Sequence, residues 1–156
     1  MNWDAIGAVG EILGAGAVVI SLIYLAAQIR IQNKESRMAA MHEISLGFRE
    51  SLDKFGEREI ADIFVRANKD FDSLTEVETL RLITSAAAFF RSWEEAYIQN
   101  EGGRLDSRIW NTINRYYTTI FSAPAFQQVW ILRKEQFDDK FRDFVDNVDL
   151  KVYNLK

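Results

Sequence analysis

Residues whose type and spacing could support chemistry are few in this chain, and they are scattered. Glu11 is a single carboxylate in an otherwise apolar run, where such a group could carry a proton or hold a cation. His42 is the only histidine, and the residue three before it is Ala39. One imidazole supplies neither an imidazole metal cluster nor the two Glu-x-x-His pairs of a carboxylate-bridged di-iron bundle. Ser36, Ser45 and Ser51 lie near it in sequence, but none sits in a nucleophile-elbow pattern. Glu94 and Glu95, beside Trp93, have the residue types for acid/base work. However, Arg91 stands four residues before Glu95, the spacing of an ordinary ion pair on a helix face. Asp139, Asp143 and Asp146 would align on one helix face and could attract a divalent cation. Lys140 and Arg142 interleave with them and no EF-hand loop surrounds them, so a solvated face is expected instead. With no cysteine, thiolate nucleophiles, disulfides and Cys-based metal sites are excluded. We expect no catalysis, no metal and no cofactor.

The elements that carry these residues follow from composition and periodicity. The chain has 156 residues, 48% hydrophobic and 27% charged, with a formal net charge of −4. Its 4 tryptophans, 5 tyrosines and 11 phenylalanines are far more than a disordered chain carries. One proline and 8 glycines favour helices over a turn-rich β-fold. The mild acidity gives no support to nucleic-acid binding.

The apolar residues are unevenly distributed. From Ile12 to Ala27 the only polar groups are Ser21 and the Tyr24 hydroxyl, and extension to Ala5 and Ile29 adds only Glu11 and Gln28. As a helix those 25 residues would be about 37 Å long, enough for a hydrocarbon layer of ~30 Å. A span in lipid must be helical to satisfy its own backbone. Trp3 and Tyr24 fall near the two ends, where amphipathic rings favour headgroups. A cleaved signal peptide needs a basic start, yet the first 29 residues contain no Lys or Arg. Gly14-Ala-Gly16 is not a dinucleotide fingerprint, since Val19 holds the third glycine position and no strand precedes it. All 19 basic residues follow Ile29, with Arg30, Lys34 and Arg37 immediately after the span. The positive-inside rule then leaves the C-terminal domain in the cytoplasm and a short N-terminal stub outside.

Gly7, Gly10, Gly14, Ala17 and Ser21 are spaced 3, 4, 3, 4, a heptad seam that includes a GxxxG from Gly10 to Gly14. Glycine weakens an isolated helix, so a stripe of it marks where another backbone comes close. We expect self-association through this face, with Leu13, Val18, Leu22 and Leu25 facing lipid. Glu11 lies one position from the seam. It is expected at the interface in contact with water, the sharper alternative being a ring of Glu11 side chains at the mouth of an oligomer.

Trp3-Asp-Ala-Ile-Gly-Ala-Val-Gly-Glu11 and Tyr24-Leu-Ala-Ala-Gln-Ile-Arg30 resemble the opening of a family of small bacterial membrane proteins of uncharacterised function. A more diffuse likeness follows around Arg91 to Gln99. The resemblance implies a plasma-membrane location, one N-terminal span and a helical domain, and it carries no activity, cofactor or catalytic residue.

Beyond Arg30 the three-to-four-residue period continues through Met38, Met41, Ile44, Phe48, Leu52 and Phe55, with Gly56 as a stop. A second helix is expected over about 57–68, burying Ile60, Ile63, Phe64 and Ala67. Thr75-Glu-Val-Glu78 reads as a capping box opening a helix that ends at Gly102-Gly103. Its faces carry Leu80, Ile83, Ala87, Phe90 and Tyr97, with Leu82, Ala86, Phe89 and Trp93 beside them. Asp106 and Asp138 read as caps of further helices, and Ser122 with Pro124 as the start of another. Trp93, Trp110, Tyr116, Tyr117 and Trp130 are expected in the core. The expectation is all-α: a transmembrane helix over residues 1–30 continuing into a cytoplasmic bundle of about five or six helices over 31–156. The function that follows is a membrane-anchored, self-associating helical scaffold or partner-binding protein, the expected partner being a cytoplasmic protein. The alternative is a homo-oligomeric ion channel or sensor whose first helix lines the pore with Glu11, Ser21 and Gln28.

Overall fold

A computed structural model describes residues 3–153, without the side chains of residues 4–6. The expected start of the span at Ala5 therefore falls on an undescribed side chain. Residues 1, 2 and 154–156 of the two expected domains lie outside the described residues. The chain is all-α: among the described residues there are six α-helices, two short 3-10 turns and no strand. Helix α1 runs Trp3–Gly56, 54 residues without a break. The chain divides into two compact units, the first reaching Ala39 and the second beginning at Ala40.

In the second unit the remaining helices are α2 (Arg58–Ala67), α3 (Glu76–Glu101), α4 (Ser107–Phe121), α5 (Pro124–Arg133) and α6 (Asp139–Asp146). Their starts are set by local chemistry. The Thr75 hydroxyl accepts from the Glu78 amide while the Glu78 carboxylate accepts from the Thr75 amide, so two orphan donors of α3 are satisfied reciprocally. Asp106 accepts from the Arg108 amide at 3.0 Å, and Asp138 accepts from the Lys140 and Phe141 amides at 3.0 and 3.3 Å. At the end of α3 the chain turns through Gly103 at φ 65°, a backbone that glycine adopts at no steric cost.

The start of α5 differs from expectation. Ser122 does not cap it: Ser122 closes α4, donating to the Thr118 carbonyl at 2.8 Å and accepting from the Lys151 amide at 2.9 Å. Pro124 opens α5, whose Ala125 amide is taken at 3.1 Å by the Asn68 side chain at the end of α2. A partner distant in sequence replaces the local cap.

Aromatic rings fill the core. Phe89, Phe90, Trp93, Tyr117, Phe126 and Phe141 are at most 1% exposed and pack mostly edge to face. Tyr116 departs from the expected core set, half of it being exposed, and Leu80 also faces solvent. On α1, Met38 and Met41 remain exposed, and the positions buried are Ala40, Ile44 and Ser51. A Cβ placed on Gly47 would stand 3.1 Å from Ser92 Oγ, so a small residue is what lets α1 and α3 approach there. Ser92 Oγ in turn hydrogen bonds the buried Tyr117 hydroxyl at 2.7 Å. Burial, opposed by that bond and aided by Glu95, pushes the Tyr117 hydroxyl up to about 12.

An ion pair ties α2 to α3. Arg66 grips Glu78 and also meets Asp62 at 3.0 Å. The Arg66 guanidinium, with the Thr75 amide and hydroxyl, holds the Glu78 carboxyl at about 2, below its ordinary 4.5. A depressed carboxylate stabilises the fold fully above its unfolded value, and that contribution fades as pH falls toward about 2. Glu78→Gln is therefore expected to lower the melting temperature at neutral pH. The gap from the native chain should narrow between about pH 4.5 and pH 2, as followed by circular dichroism.

Candidate functional site

The first unit exposes what a folded chain normally hides. Ile12, Leu13, Ile20 and Ile23 are 65–72% exposed, and no residue of the helix's most apolar eighteen-residue window is buried. By length and composition this helix is able to cross a membrane. A side-chain carbon at Gly7, Gly10 or Gly14 of the seam, or at Gly16 beside it, would stand in open space beyond the helix's own backbone. Ala17 accepts from the Ser21 hydroxyl at 2.9 Å, and Gln28 donates to the Tyr24 hydroxyl at 2.9 Å. These polar groups are thus satisfied within α1. Glu11 is exposed, as are Trp3 and Tyr24. Arg30, Lys34 and Arg37 are exposed as well, and none takes part in the ion pairs among the described residues.

In the second unit several residues with chemical potential have structural partners. Arg91 pairs with Glu94, not with Glu95 as its spacing suggested, at 2.7 Å. Its second nitrogen donates to the Gln136 carbonyl at 2.8 Å, and its guanidinium carbon lies 4.4 Å from the centre of the Phe137 ring. Glu94, buried, uses its other oxygen to accept the Asp138 amide at 2.8 Å. The pair therefore clamps α3 onto the chain entering α6. Glu95 is half-buried, and burial together with nearby Glu43 raises its carboxyl.

The expected aspartate face of α6 is divided among partners. Asp139 meets Arg142, while Asp146 accepts from Trp130 Nε1 and from Lys134, each at 2.7 Å. Burial alone would raise the Asp146 carboxyl, but those two donors bring it below its ordinary value. Only Asp143 of the three is left exposed without an ion pair among the described residues. Among the described residues no group of three His, Asp or Glu side chains is placed to hold a metal, and His42 is exposed.

An open apolar groove of about 450 Å³ lies between α1 and α4, lined by Ile44, Phe48, Leu52, Ile113 and Tyr116. Two of its hydroxyls bond to backbone: Ser45 donates to the Met41 carbonyl at 2.8 Å and Thr112 to the Arg108 carbonyl at 2.9 Å. The lining is mainly apolar, with Arg49, Ser45 and Thr112 as its polar members. Sequence periodicity alone does not reveal it, because its walls come from segments some sixty residues apart. Comparison with protein-family models, with curated proteins and with solved structures returned no match.

Proposed function

We propose that the chain is a membrane-anchored, self-associating helical protein whose second unit binds partners in the cytoplasm. The observation that carries this reading is the apolar run of α1 from Ile12 to Ala27, exposed at every residue. A monomer in water rarely shows a contiguous apolar patch beyond a few hundred Å². Lipid is the solvent in which such a helix is stable without a protein cover. Arg30, Lys34 and Arg37, which follow it directly, support a cytoplasmic second unit.

The open glycine seam supports self-association. Each glycine in a helix interior costs roughly 1 kcal/mol relative to alanine, and the space beside Gly7, Gly10 and Gly14 is empty. A second α1 laid on Gly7, Gly10, Gly14, Ala17 and Ser21 would supply the missing packing. The pore reading has less support, because Ser21 and Gln28 bond within the helix and only Glu11 of its three polar residues does not. The test is the mass of the full chain in mild detergent. An oligomer is expected for the native chain, weakened at least about tenfold, about 1.4 kcal/mol, by Gly10→Leu or Gly14→Leu. A native chain that is monomeric, or an oligomer indifferent to both substitutions, would refute the seam.

A further inference from the structure

We propose that Arg30, Lys34 and Arg37 form a binding face for the phosphate groups of anionic phospholipids, an inference that rests on the membrane reading of α1. The three are spaced 4 and 3 along a continuous helix. At 3.6 residues per turn they fall within an arc of about 60° and span about 10 Å of its length. Glu35, the nearest acidic residue, points about 140° away from Arg30, so the face is cationic throughout. All three side chains are exposed, and no ion pair among the described residues uses any of them. Unpaired cations of this kind are available to an outside anion.

Their position selects the anion. Ile29, the last residue of the apolar stretch, is adjacent to Arg30, which sets the cationic face at the depth where lipid phosphates lie. A parallel second copy would bring like charges together at this face, which disfavours it as the occupant. The arginines supply forked donors suited to phosphate oxygens and the lysine supplies a point charge. Basic residues beside a span each favour an anionic surface severalfold, so three together give a large preference over a zwitterionic lipid.

The experiment titrates the full chain in mild detergent with phosphatidylglycerol or phosphatidylcholine and counts bound lipid by native mass spectrometry. The native chain is expected to prefer phosphatidylglycerol by at least about tenfold. The triple variant Arg30→Gln, Lys34→Gln, Arg37→Gln is expected to bind both lipids nearly equally. Arg58→Gln with Lys140→Gln, exposed basic positions elsewhere, is expected to keep the preference. Equal binding by the native chain, a preference retained by the triple variant, or displacement of the lipid by inorganic phosphate would each overturn the proposal. Insertion into phosphatidylcholine vesicles, read by resistance to alkaline extraction, separates the two levels. Insertion without lipid preference removes only this inference, whereas failure to insert removes the membrane reading beneath it.

Discussion

Trp93→Ala is expected to cost the helical bundle about 4 kcal/mol. Trp93 is fully buried and stands where α3, α4 and α6 meet. Its ring stacks on Tyr117 at 5.5 Å between centroids and lies 5.6–5.9 Å from Phe121, Phe141 and Phe144. Its indole nitrogen donates to Asn114 Oδ1 at 3.0 Å. Removing the ring leaves a void among rigid aromatic neighbours that have little freedom to collapse into it. Truncations of this kind cost about 3–5 kcal/mol. The Asn114 carbonyl also loses its donor in a half-buried site, which adds to the loss. Against a total stability of about 5–15 kcal/mol that is a large fraction. The melting temperature of the full chain, followed by circular dichroism, should fall on the order of 10–20 °C. Trp93→Phe retains an aromatic ring but not the donor and should cost about 1–2 kcal/mol. Val77→Ala, on the exposed face of the same helix, should stay within about 0.5 kcal/mol. If Trp93→Ala cost less than about 1 kcal/mol, the stacked rings would not be what holds these three helices together.

What the sequence disclosed, and what it hid, divides along the range of the interaction. Thr75, Asp106 and Asp138 are legible as caps because each acts on amides two or three residues away. The runs Ile60, Ile63, Ala67 and Phe89, Phe90, Trp93 are legible as buried because apolar spacing on a helix reports a face. The same logic carries α1 to Gly56 and finds buried Ile44, with Phe48 and Phe55 packed on the core. It does not reveal that Met38 and Met41 stay exposed while Ala40 and Ser51 are buried, nor that Gly47 meets Ser92 of α3, because small residues leave little hydropathy trace.

Partners distant in the chain were illegible for a related reason. Asn68 at the head of α5, Ser122 under Lys151, and Arg91 bridging Glu94, Gln136 and Phe137 each join segments whose proximity only the fold creates. Arg91 was misjudged by one residue, since i,i+3 and i,i+4 spacings both place a carboxylate within reach. Burial decided between them, drawing Glu94 inward to meet the Asp138 amide. At the candidate site the balance is reversed. The apolar stretch, glycine seam and basic collar are all local patterns, so the sequence displays them in full.

Val18→Arg is expected to release the chain from membranes. Val18 is near the midpoint of the apolar stretch and is 59% exposed, with no protein neighbour positioned to shelter a charge. An arginine at the centre of a membrane helix disfavours insertion by about 2.5–3.5 kcal/mol, whereas valine favours it slightly. The difference of about 3 kcal/mol corresponds to a factor of more than about 100 in partition. Snorkelling offers little relief, because about ten residues separate position 18 from either end of the stretch. The same substitution made at Val152, 96% exposed in the second unit, adds an identical charge without touching the span. It should leave the distribution unchanged. The measurement is the fraction of full-length chain that stays with cell membranes through alkaline extraction. The native chain and Val152→Arg should remain, and Val18→Arg should be recovered in the soluble or aggregated fractions. A water-soluble protein with the same α1 would behave otherwise. There the native chain would appear in the supernatant without detergent, and an arginine on an exposed helix face would change nothing in its distribution.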